Sequence, residues 1–436
     1  MKTNLYTFSL TGIAGAIVLS SFSILSSSHT QPQPAVDSLR ARALHHEALT
    51  LDAHIDLRAD FNTPGNDAAK ETADQFDLPK LERGDLDVSV VALFADPQKR
   101  TTANVAAARA QVEQKLTSLR KFVAANPTRL EFATTSEDLT RIPAKGKHAI
   151  LLSFLNALSL GSDIAQLQVL YDKGVRVLGY THAGNNDWAD SSRPVAGFGD
   201  KPGENGGLTS LGKKGISELN RLGSVIDVSQ LTAEGVFQAV QLSRAPVIAS
   251  HSAVRGRVDN ARNLSNEELR AIAATGGVVH IVAFTPYLRQ NPQFTADYLK
   301  KVWEPYGLQF GKDDPKEKLD AKTYQQYLDS YKTFSQNEWR YGQLTDYLDA
   351  IDYAVRLIGI DHVGISSDFN HGGGVTGFAS VAEAPSVTRG LFERGYSEDE
   401  IRKLWGGNFL RVFRDVEVTA AGLRKNTLPG ETGVQH

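Results

Sequence analysis

Leu49-Thr50-Leu51-Asp52-Ala53-His54-Ile55-Asp56-Leu57 is the stretch on which the fold turns. Apolar side chains at 49, 51, 53, 55 and 57 alternate with Thr50, Asp52, His54 and Asp56. This is the two-residue period of a strand that buries one face and shows the other. His54 and Asp56 then point the same way, about 7 Å apart along the backbone. An imidazole and a carboxylate presented together can chelate a divalent cation. The same pair also makes an ordinary buried ion pair, so the rest of the chain has to decide.

Strand-like apolar runs recur at Asp85–Ala95, His148–Phe154, Val175–Thr181, Ser224–Ser229, Ala245–Ser250, Gly277–Phe284 and His362–Ser367, eight with the first. Helical patterns lie between them at Ala103–Ala125, Ile164–Tyr171, Gly212–Leu222, Ala233–Leu242, Asn266–Ala274 and Leu344–Leu357. Val36–Ala48 precedes the series and Ser397–Phe413 closes it. Strands alternating with helices predict right-handed βαβ units and a parallel sheet. Eight units predict an α/β fold of the (β/α)8 TIM-like barrel type, with its chemistry at the carboxyl ends of the strands. A doubly wound open sheet is the alternative. Thr285–Gly342, rich in Tyr, Lys, Asp and Gln, reads as a helical insertion after the seventh strand, suited to a lid or a dimer contact.

The 436 residues, 41% of them hydrophobic, can bury a large core. A formal charge of −3 leaves no basic surplus for a phosphate backbone, so no nucleic acid partner is expected. The absence of cysteine excludes disulfides, thiolate metal sites and a cysteine nucleophile. Lys2, the mostly apolar run Phe8–Leu25, Ser26-Ser27-Ser28 and the polar Gln31–Pro34 follow the order of a secretory signal peptide. An uncleaved anchor is the alternative; no later segment is long and apolar enough to span a bilayer. The expected layout is a signal over 1–28, an N-terminal extension over 29–48, the barrel over 49–418 and a tail over 419–436. The expected location is the periplasm or outside the cell.

On the barrel reading, His54 and Asp56 end the first strand, His182 the fourth, Gln230 the fifth, His251 the sixth and Asp368 the eighth. Singly, each has an ordinary explanation: a core histidine, or an aspartate capping the loop Phe369–Gly374. Together at the ends of the strands they argue for one shared site. His280 and His362, within or at the start of strands, read as structural.

Those blocks also resemble the membrane (renal-type) dipeptidases, zinc-dependent members of the amidohydrolase barrel group, over about residues 45–418. The matching segments are LDAHIDL at 51–57, GVRVLGYTHAGNNDWADSS at 174–192, GLTSLGKKGISELNRLGSVIDVS at 207–229 and APVIASHSAVRGRVDNARN at 245–263. GISSDFNHGG at 364–373 and GGNFLRVF at 406–413 complete the series. The resemblance implies metal ligation by His54, Asp56 and His251, and contact of His182 with substrate and its scissile carbonyl. It further implies pairing of Arg262, followed by Asn263, with the substrate's carboxylate, and proton handling by Asp368. A small peptide substrate and a homodimer are implied in the same way.

Two positions depart from the family pattern. Leu155 stands where relatives carry a glutamate that bridges two zinc ions, and Gln230 where they carry a histidine. Two cations about 3.5–4 Å apart repel strongly without an anion between them. A glutamine carbonyl is a weaker zinc ligand than imidazole. The expectation is therefore a single Zn2+ or other divalent ion held by His54, Asp56 and His251, with Asp368 or Gln230 as a further ligand. The implied activity is that of an exported metal-dependent dipeptidase. The alternatives are a degenerate centre that serves periplasmic maturation of a peptide natural product such as a siderophore, or peptide binding without hydrolysis.

Overall fold

Nine parallel strands form one sheet in the computed structural model, which describes residues 34–427 apart from 311, 314, 339 and 340. In chain order they are β1 (Leu51–Asp56), β2 (Val88–Phe94), β3 (Leu130–Ala133), β4 (His148–Leu155), β5 (Val175–Gly179), β6 (Val225–Asp227), β7 (Ile248–Ser252), β8 (Val278–Val282) and β9 (Val363–Ser366). The spatial order is β1-β2-β4-β5-β6-β7-β8-β9, so each strand of the main series lies beside its successor. The barrel closes where the Asp56 amide donates to the Phe369 carbonyl and the Asp368 amide to the His54 carbonyl, both at 3.0 Å. The predicted (β/α)8 barrel is therefore present, with all eight anticipated strands.

The extra strand is β3. It pairs with the first half of β4, Leu130 opposite His148 and Ala133 opposite Leu151, while β5 pairs with the second half from Leu152 onward. A four-residue strand with its two central side chains half-buried leaves little periodicity to read. A second difference concerns β1, which was expected to show one face. All six of its residues are buried, so the polar side chains of the alternation are enclosed by the barrel. β2 and β4 are buried throughout, as strands covered on both sides must be, which explains their nearly continuous apolar runs.

Phe409, Val412 and Phe413 of the closing helix pack with Leu51, Val88 and Leu151 at the amino-terminal halves of the strands. That helix, Asn408–Thr427, runs on through residue 418, where the sequence reading ended the barrel, with Val416 and Ala420 buried along it. Between β8 and β9 the insertion is helical, its longest element being Ala321–Glu338. No helix among the described residues is long and apolar enough to cross a membrane. The expected signal segment, 1–28, lies outside the described residues.

One core histidine makes a test of the fold. His148 Nδ1 faces the Leu86 carbonyl at 2.5 Å and Nε2 the Ser89 hydroxyl at 3.0 Å. The carbonyl can only accept, so Nδ1 carries the proton, Nε2 accepts from Ser89, and the ring is neutral. Burial pushes its pKa down from 6.5 to about 4. Between those values the unfolded chain binds a proton that the folded chain refuses, so this contribution is intact above pH 6.5 and lost as pH falls towards 4. In His148→Gln that proton is gone from both states. The stability gap between wild type and variant, from urea unfolding, should shrink by about 3 kcal/mol between pH 6.5 and pH 4.

Candidate metal centre and active site

β1 and the turn after β9 bring three donors together. His54 Nε2 is 3.4 Å from an Asp56 carboxylate oxygen and 3.9 Å from one of Asp368. One donor atom from each lies within 4.8 Å of the others, and all three residues are buried. Among the described residues His54 Nε2 and Asp56 Oδ1 have no hydrogen-bond partner. Buried polar atoms of this kind ordinarily have one. One imidazole nitrogen and two carboxylate oxygens form a donor set that suits a divalent cation, so these residues fit the metal that the fold family implies.

The charges are interlocked. Burial opposes protonation of His54, but the Asp56 carboxylate 3.4 Å away and the charge of Asp368 outweigh this and hold its pKa up to about 8. Burial likewise works against the Asp56 carboxylate, yet His371 and His54 bring it down to about 2. Asp368 goes the other way: burial pushes it up to about 6 against the pull of His371 and His54. His371, which the sequence reading did not single out, has Nδ1 3.8 Å from Asp56 and meets His182 edge to face at 5.1 Å. Its only signal was position, three residues after Asp368 in a glycine-rich loop.

His251 stacks on His54 with ring centroids 3.9 Å apart and planes 19° from parallel. Its two nitrogens are committed by a chain of hydrogen bonds whose direction is fixed at both ends. Arg193 can only donate, so Gln230 turns its carbonyl to Arg193 at 2.7 Å and its amide to His251 Nε2 at 2.9 Å. His251 Nδ1 then donates to Ser250 Oγ at 2.7 Å, and Ser250 donates to the Asp227 carboxylate at 2.5 Å. Burial first, then the positive charge of His54, keeps His251 well below the usual histidine pKa, hence neutral. Gln230 was a candidate ligand through its carbonyl oxygen; that oxygen is taken by Arg193. Among the described residues the donor cluster is His54, Asp56 and Asp368, with His251 alongside.

Gln230 and Asp368 both sit in the left-handed backbone region, at φ 71° and 58°. Such conformations cost about 1–3 kcal/mol each and persist only where the surroundings enforce them. Here the Gln230 carbonyl accepts from the Ser192 amide and the Asp368 carbonyl from the Gly373 amide. A Cβ on Gly373 would lie 2.0 Å from the Ser367 carbonyl oxygen, so only glycine allows this turn to close.

Around the cluster is a cavity of about 750 Å3 lined by His182, Arg193, Arg262 and Leu155 among others. His182 is neutral, driven down first by burial and then by Arg193, and its Nδ1 has no partner among the described residues. Arg262 is 3% exposed; one amino group donates to the His251 carbonyl at 2.9 Å and Nε has no partner. Among the described residues neither Arg262 nor Arg193 forms an ion pair, so two guanidinium groups face the cavity without a carboxylate. Asn263, expected beside the substrate, does not line the cavity. It is buried, and its amide ties the Val258 and Tyr287 carbonyls together at 2.8 and 2.9 Å. Leu155 ends β4 packed on Ala92 and Phe94, an apolar wall beside the donors.

Residues 38–427 match the family model of membrane dipeptidases, peptidase family M19. The probable dipeptidase PvdM from Pseudomonas aeruginosa is 41% identical, with a TM-score of 0.80 over 89% of this chain and all of that one. Dipeptidase TcpJ of Claviceps purpurea (strain 20.1) is 25% identical over 415 residues, 93% of this chain and 84% of that protein. A metallopeptidase from Rhodobacter sphaeroides, solved with a phosphinate mimic of the dipeptide L-Ala-D-Ala, shares the fold at 20% identity and a TM-score of 0.65, covering 84% of this chain and 99% of that one. The chain belongs to the membrane dipeptidase family, peptidase family M19, and is a hydrolase of the metallodipeptidase type.

Proposed function

We propose that this protein hydrolyses the amide bond of small peptides with one divalent ion, zinc in the first instance, held by His54, Asp56 and Asp368. The observation that carries the reading is the convergence of three buried donor residues, with His54 Nε2 and Asp56 Oδ1 lacking a hydrogen-bond partner among the described residues. A cation bound there supplies charge to acidify a water molecule and polarise a carbonyl. The chain's own groups do the rest. Asp368, buried and within 3.9 Å of His54, would take the proton of the attacking water. His182, neutral and with an unpartnered Nδ1, donates to the carbonyl oxygen as charge develops on it. Arg262 and Arg193 draw the substrate's carboxylate into the cavity by charge-assisted hydrogen bonds. Leu155 keeps an apolar wall where a second ion's anchor would have to stand. His251 supports the His54 ring by stacking, and its lone pair is engaged by Gln230.

Elemental analysis of the purified protein should find about one divalent ion per chain, with turnover of L-Xaa-D-Xaa or L-Xaa-L-Xaa dipeptides that disappears in His54→Ala. Two tightly held ions would contradict the one-metal centre; none, with no turnover, would contradict the hydrolase mechanism. Leu155 and the engaged Gln230 favour a second reading, in which the altered centre acts in maturing a peptide natural product. Turnover of a larger peptide with no action on dipeptides would select it. The apolar run Phe8–Leu25 behind Lys2 supports export, and recovery of a shortened chain from the periplasm would test that.

A further inference from the structure

The chamber above the three donors is larger than a small dipeptide needs, and one side of it is aromatic. At about 750 Å3 it stands in the upper part of the range for small-molecule sites, roughly 300–1,000 Å3. Its floor is polar, formed by His54, Asp56, His182 and Asp368. Its upper wall comes from the insertion between β8 and β9, which contributes Tyr298, Trp303, Phe310, Tyr327 and Tyr331.

These rings are held edge to face. Tyr298 and Phe310 are 5.9 Å apart at 86°, Trp303 and Phe310 5.0 Å at 89°, and Trp303 and Tyr327 5.8 Å at 83°. Trp303 and Tyr327 are buried, while Phe310 is 57% exposed although two other rings fix it. Phe310 thus adds its ring to the wall of the cavity beside Tyr298 and Trp303. Wall and floor are close: the Tyr331 hydroxyl, whose pKa is raised first by burial, also feels the charges of Arg193 and Asp368. The acidic residue of the wall, Asp313, is paired with Lys318 at 3.0 Å.

We propose that the substrate is a peptide bearing a bulky aromatic group, seated against the insertion while Arg193 and Arg262 hold its carboxylate and its scissile amide reaches the three donors. The inference rests on the hydrolase reading and adds the substrate class to it. A ring is selected over an alkyl chain because ring edges and faces pair favourably with fixed aromatic walls, beyond the area they bury. Alanyl side chains leave the wall unfilled, and leucyl side chains fill it without that pairing.

The test compares L-Ala-D-Ala, L-Ala-D-Leu and L-Ala-D-Phe, with their L,L counterparts, on the zinc-loaded full-length protein. In one of the two stereochemical series kcat/KM should be at least tenfold higher for the phenylalanyl peptide than for either of the others. Phe310→Ala, whose exposed side chain can go without disturbing the core, and Trp303→Leu should each lower the Phe-to-Ala ratio at least fivefold. Calorimetric binding of the same peptides to zinc-free protein gives a readout independent of turnover. Aromatic preference in binding without any hydrolysis would uphold the chamber and overturn the dipeptidase mechanism. Equal kcat/KM for the three peptides, preference for leucine, or a ratio unchanged in both variants would overturn the chamber.

Discussion

Asp368→Asn should lower kcat on a dipeptide substrate by about three orders of magnitude, the middle of the range of roughly 10²–10⁴ attributed to a positioned proton acceptor. Asparagine is the informative replacement because it keeps the shape of the side chain and tolerates left-handed backbone, here φ 58°. The turn through Gly373 and the closure of the barrel at the Asp368 amide are therefore retained. What goes is the negative charge 3.9 Å from His54 and the acceptor for the proton of water. Metal affinity should fall as well, since an amide oxygen replaces a carboxylate in the donor set. Rates measured at saturating zinc separate the two effects: the loss that remains is the proton-transfer part. A remaining loss below tenfold would remove Asp368 from that role and leave it a ligand only.

The parts of this molecule that the sequence reveals are those where local pattern and tertiary demand agree. β2, β4 and β8 are buried on both faces, so their apolar runs stand out, and the residues just beyond strand ends become candidates once a barrel is assumed. His54 and Asp56 stand out in the alternation of the first strand, and Asp368 by its place after the eighth. β3 escaped because four residues give no period, and because its partner is only the first half of β4. The role of Gln230 was legible as chemistry but not as geometry. A glutamine offers a carbonyl or an amide, and which one faces His251 is decided by Arg193, 37 residues away in the chain. Asn263, adjacent to Arg262, commits its amide nitrogen to the Val258 and Tyr287 carbonyls, a tertiary contact that its place in the sequence does not show. The insertion was legible as helical, but the spacing of its tyrosines, tryptophan and phenylalanine does not say that five of them share one wall.

If the centre holds one ion as proposed, Leu155→Glu combined with Gln230→His should raise that to two, and the route there should be costly. Leu155 is 2% exposed and packed on Ala92 and Phe94. Leu155→Glu alone, free of metal, should lose about 3–5 kcal/mol in urea unfolding, the scale of an uncompensated buried charge. Gln230→His is needed with it because the Gln230 amide occupies the His251 lone pair. Histidine at 230 ends that donation and supplies an imidazole of its own. In the double variant, added zinc should restore stability, by about 2.7 kcal/mol once free metal reaches a hundred times its dissociation constant. Elemental analysis should rise from one ion per chain to two. No loss of stability in metal-free Leu155→Glu would mean that the site already accommodates charge, and the apolar wall would then not account for the single ion proposed.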